Sequence, residues 1–152
     1  MEKILDNIGF YGPLINFIIT TVNIWKQPLY LAGYIVTSFV NVIINRVLKM
    51  TIKQERPSHS KKLVAWEHYN GAEQYGMPSL HAQSVFFSMT YLYLVKRPVY
   101  WTLIECFVAS MTFYQRWKYR NHTLNQLVVG SILGSTIAYI SHMIIRQYLH
   151  GR

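Results

Sequence analysis

Three cations and two histidines stand out in this 152-residue chain: Lys49, Arg56 and Arg116, with His81 and His122. Arginine offers a planar fork to phosphate oxygens and lysine a point charge, so the three together suit a phosphoryl group. The nearby acids are few (Glu55, Glu67 and Glu73, all in one connecting stretch), so the cations are expected to form a poor salt-bridge network and a good anion cradle. Two histidines beside such a cradle can divide the work of phosphoryl transfer, one as nucleophile and one as proton donor to the leaving oxygen. Gln126 follows His122 by one helical turn, where its amide oxygen can accept the ring Nδ1–H and leave Nε2 free. Helix starts near Ser79 and His122 would add backbone N–H donors aimed at an anion, that of Leu80 among them.

One of these stretches has a plainer reading. Taken alone, "YGMPSLHAQ" (75–83) is a helix start, with Pro78 pre-setting φ, Ser79 as cap and His81 as an interfacial histidine. The two other clusters, Lys49 to Arg56 and Arg116 to Gln126, give it a chemical context.

The elements that must carry these residues are apolar. Half of the chain is hydrophobic and only 14% is charged, against about a quarter in soluble domains. Five apolar segments can be drawn, at about 8–25, 28–48, 79–95, 98–114 and 124–145, with a polar connection of about 30 residues between the second and third. At about 1.5 Å per residue most of them reach across a hydrocarbon core of about 30 Å. The expectation is an all-α integral membrane bundle of about five transmembrane helices, one domain over residues 1–152, with Asp6 ahead of a retained first helix and no signal peptide. Net charge is +9, but the basic residues fall at the ends of apolar segments and not along a soluble face. That placement suits anionic lipid and disfavours nucleic acid.

Polar residues within the segments fall at helical spacing: Ser38, Asn41, Asn45 and Lys49; His81, Ser84, Ser88 and Tyr91; His122, Gln126, Gly130 and Gly134. Such stripes turn inward in membrane helices, and the G-x-x-x-G pair lets another helix come close. If the segments alternate across the bilayer, Lys49, Arg56, Ser79, His81, Arg116 and His122 collect at one membrane face. Cys106 is the sole cysteine, which rules out an intrachain disulfide and reads as a small core residue. No helix carries His/His/Glu metal spacing. Glu105 is expected to have a structural partner such as a tyrosine, His59 and His68 to lie in solvent, and His142 and His150 at the far interface.

The three clusters, "KMTIKQERP" (49–57), "PSLH" (78–81) and "RWKYRNHTLNQ" (116–126), resemble the ordered signature motifs of the type 2 phosphatidic acid phosphatase family, membrane lipid phosphatases related to the vanadium haloperoxidases. The resemblance covers about Lys49 to Gly134. It implies His122 as a nucleophile forming a phosphohistidine, His81 as proton donor, Lys49, Arg56, Arg116 and Ser79 as phosphoryl holders, and no metal or other cofactor. Leu80 replaces a smaller residue, Gln115 a serine, and Gln126 the acid that usually orients the nucleophile. This last change, with "YGMPS.H.Q", is similar to the dolichyl-diphosphatase branch, and six helices are common in the family where five are drawn here. The implied activity is hydrolysis of a polyprenyl diphosphate to the monophosphate. The alternatives are a phosphatidate or other lipid monophosphate phosphatase, and a non-catalytic protein that binds anionic lipid. Lysine and arginine are more numerous on the site side, partly because the cradle itself is there, whereas the resemblance implies a lumenal or extracytoplasmic site in an internal membrane such as the endoplasmic reticulum. The partners implied are the lipid substrate and the bilayer; no protein partner is legible.

Overall fold

The computed structural model describes residues 2–64, 67 and 69–151, without the side chain of His150. Five α-helices follow one another: α1 (Glu2–Ile24), α2 (Pro28–Ile52), α3 (Leu80–Lys96), α4 (Val99–Lys118) and α5 (Leu124–His150). Among the described residues there is no strand, and one 3-10 turn, Gly71–Gln74, lies in the long α2–α3 connection. α2 and α5 are long and apolar enough to cross a membrane by length and composition. Pro28 opens α2, where a missing N–H costs nothing. Lys53 and Arg97, both in the left-handed region, close α2 and α3, and Pro98 then caps α4.

The α3 helix is the hub, packing against α1, α4 and α5 and more lightly against α2. Its close crossing with α5 depends on the glycine pair. A Cβ on Gly130 would stand 2.6 Å from the Ser79 carbonyl oxygen, and one on Gly134 would strike the Gln83 carbonyl. Both obstacles are backbone, so the helices meet only because those side chains are missing. Away from Lys49, Arg56, His81, Arg116 and His122, the residues Ile24, Tyr34, Phe87, Tyr91 and Leu92 make a buried core in which Tyr34 and Phe87 stack at 5.5 Å. Nearer to them, the buried Gln83 side chain donates to Asn41 Oδ1 (2.8 Å) and accepts from Asn45 Nδ2 (2.7 Å), pinning α3 to α2. The expected stripes do contain Asn41 and Asn45, but Gln83 lies off the stripe assigned to its own helix.

Several expectations need correction. The first helix starts at Glu2, and Asp6 lies inside it, buried against Lys118 Nζ (3.0 Å) and the Tyr119 hydroxyl (3.0 Å). A buried carboxylate needs such partners, and a hydropathy reading gives it no reason to be inside. Cys106 is exposed on the outer face of α4 and is not a core residue. Glu105 is buried and accepts from Thr20 Oγ1 at 2.7 Å, so its partner is a threonine and not a tyrosine. His142 lies towards the far end of the bundle, as expected, but it is buried there and stacks on Tyr30 of the first turn of α2 at 5.7 Å. His59 is exposed in the connection, and His68 lies outside the described residues.

Candidate active site

Lys49 ends α2, Arg116 ends α4, His81 lies in the first turn of α3, and His122 precedes α5 by two residues. The α2–α3 connection brings Arg56 to them. It folds back on itself through an isolated antiparallel bridge between Glu55 and Tyr75 and a Gly76 N–H to Gln54 carbonyl bond of 2.8 Å. The result is a cavity of about 250 Å³ whose lining includes Lys49, Arg56, Leu80, His81, Arg116 and His122. Ser79 and Gln126 stand behind this lining. Ser79 is the N-cap residue of α3, but its side chain makes no capping bond, and its buried Oγ has no hydrogen-bond partner among the described residues. Its backbone N–H is already given to the Gln126 carbonyl at 3.1 Å.

Hydrogen bonds set the tautomer of each histidine, because an arginine can only donate. Arg56 Nη1 lies 3.1 Å from His122 Nε2, so that nitrogen carries the lone pair. The His122 Nδ1–H then donates to the Gly76 carbonyl at 2.9 Å and, more weakly, to Gln126 Oε1 at 3.3 Å. Gly76 as the nearer acceptor escaped sequence reasoning, since a backbone carbonyl has no side-chain signature. The requirement for glycine there is steric, because a Cβ would run into the Gln126 amide, 2.5 Å from its Nε2. Burial, then the charges of Arg56, Lys49 and Arg116, push the His122 pKa well below the ordinary histidine value. His81 Nε2 accepts in the same way from Arg116 Nη2 at 2.6 Å.

Gln126 does more than face His122. Its Oε1 also accepts the Thr123 N–H (3.1 Å) while Thr123 Oγ1 accepts the Gln126 N–H (3.3 Å), a reciprocal capping box that starts α5. Its Nε2 donates to Gln54 Oε1 (3.1 Å) and the Glu55 carbonyl (2.9 Å), tying α5 to the connection that carries Arg56.

The expectation that the cations lack carboxylate partners is overturned. Lys49 Nζ pairs with Glu73 Oε2 at 2.6 Å and Arg116 Nη1 with Glu67 Oε1 at 2.7 Å. Arg56 donates from Nε to the Glu73 carbonyl at 2.9 Å and lies 4.2 Å from the centre of the Tyr69 ring. The reason is electrostatic, since Lys49 and Arg116 are almost wholly buried and a buried cation without a counter-charge is strongly unfavourable. Sequence distance hid the pairing, because only the fold-back of the connection brings the glutamates over the helix ends. Among the described residues, no group of His, Cys, Asp and Glu is placed to hold a metal ion.

Among the described residues the fold and the site together define an all-helical protein with a cationic cavity built around two neutral histidines. Residues 30–149 match the PAP2 superfamily, and the chain belongs to that family. It is 34% identical over 120 residues to dolichyldiphosphatase 1 of Dictyostelium discoideum, covering 69% of this chain and 49% of that protein. It is 26% identical over 122 residues to lipid phosphate phosphatase gamma of Arabidopsis thaliana, covering 73% of this chain and 51% of that protein. The chain thus spans about half the length of the curated relatives it matches. No solved structure matches it.

Proposed function

We propose that this chain is a multi-pass membrane lipid phosphatase that hydrolyses a polyprenyl diphosphate to the monophosphate through a phosphohistidine on His122. The observation that carries the reading is the gathering of Lys49, Arg56 and Arg116 around two neutral histidines in one cavity. The His122 Nε2 lone pair attacks the terminal phosphorus, and the bond from that phosphorus to the bridging oxygen breaks. Lys49, Arg56 and Arg116 hold the phosphoryl oxygens, and Ser79 Oγ and the Leu80 N–H are further donors at the start of α3. His81 supplies the proton to the leaving lipid monophosphate. Water, losing a proton to His81, then attacks the phosphohistidine and releases inorganic phosphate. Arg116 donates into His81 Nε2, so His81 takes up its proton only as the substrate anion draws Arg116 away. Similarity to the dolichyldiphosphatase, and Gln126 in place of an acid, favour a polyprenyl diphosphate over phosphatidate. The site is assigned to the lumenal or extracytoplasmic face.

Release of inorganic phosphate from a polyprenyl diphosphate and from phosphatidate, in one detergent, tests the reading. We expect the higher kcat/KM for the diphosphate, a trapped phosphohistidine, and loss of both with His122→Ala in normally inserted protein. A His122→Ala enzyme within tenfold of the parent overturns the nucleophile, and a preference for phosphatidate overturns the substrate.

A further inference from the structure

If the chain acts on a lipid phosphate, the apolar tail must leave the cationic cavity for the hydrocarbon, and the bundle offers few ways out. The α1–α4 seam is closed by charge, with Lys118 bound to Glu2 at 2.8 Å and to Asp6 at 3.0 Å beside Lys61 and Lys62. The α2–α3 seam is held by the Asn41, Asn45 and Gln83 hydrogen bonds. The α4–α5 seam is different. These consecutive helices scarcely touch, because α3 packs against both and keeps them apart. Between them runs an apolar cleft of about 430 Å³, with Phe86 of α3, Phe113, Tyr114 and Trp117 of α4, and Leu124 of α5 in its lining.

The cleft adjoins the chemistry through shared lining residues. Trp117 and Leu124 also line a recess of about 390 Å³ that includes Arg120 and His122, and His122 in turn lines the phosphate cavity. From Trp117 the cleft extends down to Ser110, two turns of α4 or roughly 10 Å. Its polarity falls in that direction, from Arg120 at the mouth to aromatic rings below. By contrast, the apolar groove between α2 and α5, lined by Val36, Val40, Ile137 and Ile144, shares no residue with that recess or with the phosphate cavity. On α5 it begins about 16 Å from Gln126, and on α2 it stops at Ile44, about 7–8 Å short of Lys49.

We infer that the α4–α5 cleft is the binding subsite for the apolar chain of the substrate, with Trp117 and Leu124 at the bend between headgroup and tail. The inference rests on the lipid phosphatase reading and deepens it. Its occupant is a branched hydrocarbon chain attached to a phosphate, and aromatic side chains give such a chain broad apolar contact without polar competition. Two measurements test it on the whole protein in detergent. First, Ser110→Trp fills the lower cleft. The ratio of kcat/KM for a long polyprenyl diphosphate to that for a five-carbon isoprenyl diphosphate should fall at least tenfold, while Val40→Trp in the α2–α5 groove leaves that ratio within twofold. Second, a polyprenyl phosphate with a photoreactive group on its tail, bound to the His122→Ala protein, should label residues within 110–124. Label confined to α2 and the C-terminal half of α5, or an unchanged chain-length ratio in Ser110→Trp, overturns the cleft assignment while leaving the lipid phosphatase reading intact. A parent protein that hydrolyses neither diphosphate overturns the polyprenyl diphosphatase reading, and label within 110–124 would still support the cleft as a tail site.

Discussion

His122 is held at both ring nitrogens, by Arg56 on one side and by Gly76 and Gln126 on the other. A glutamine at 126 is therefore fitted to its place, because its amide nitrogen bonds Gln54 and Glu55. An aspartate would offer only acceptors there, leaving the Gln54 and Glu55 oxygens facing a carboxylate. Gln126→Asp is expected to lower kcat, and Gln126→Ala to lower it further by releasing the imidazole; a faster aspartate variant would overturn the argument. Gly76→Ala should lower kcat by pushing the same amide aside. The pH dependence follows from burial and the three neighbouring cations, which hold His122 neutral well below the ordinary histidine value. In the proposed mechanism the reactive form is the unprotonated one, so it is fully present above that lowered pKa and is lost only as pH falls through it. The acid limb of kcat/KM assigned to His122 should lie clearly below about 6.5, and Arg56→Ala should move it upward. That variant should also lose on the order of 2–5 kcal/mol of transition-state stabilisation, measured as kcat/KM.

Between elements, the contact that matters most is α3 across α5, since it joins His81 to His122. The G-x-x-x-G pair was visible in sequence, and its partner was not, because glycine spacing shows a thin helix face without naming what fills it. In the structure the partner is the first turns of α3, at Ser79 and Gln83. Gly134→Ala places a methyl against immovable backbone, so it should cost about 1–3 kcal/mol. Thr136→Ala, on the exposed face of α5, should stay within about 0.5 kcal/mol. Thermal unfolding of both in detergent measures the difference, and equal midpoints would remove the crossing as a determinant.

At the scale of the molecule, the charge of the site depends on whether the α2–α3 connection lies over it. Glu67 and Glu73 pair with the cations, and in the proposed reaction the substrate phosphoryl group competes with them. Glu73 is one-third exposed, so its competition is modest. Glu73→Gln should lower the inhibition constant for vanadate by about threefold, the scale of a partly screened ion pair. Unchanged inhibition would mean that Glu73 remains on Lys49 when the anion binds. Turnover should persist in excess EDTA, because in the proposed mechanism side chains supply the charge that stabilises the phosphoryl group. Rescue of an EDTA-inactivated enzyme by Mg²⁺ would refute that mechanism.

The sequence by itself determined the helical character, the family and six of the residues that line the cavity, Lys49, Arg56, Leu80, His81, Arg116 and His122. Apolar length, helical spacing and motif order are local properties, written along the chain. Tertiary structure alone decided who faces whom. Asp6 inside α1, the glutamates on Lys49 and Arg116, the Gly76 carbonyl behind His122, Gln83 between two asparagines, and the parting of α4 from α5 all depend on groups far apart in sequence. A buried charge or donor must find a partner wherever the fold brings one within reach, and that requirement fixes the pairing only once the helices have packed.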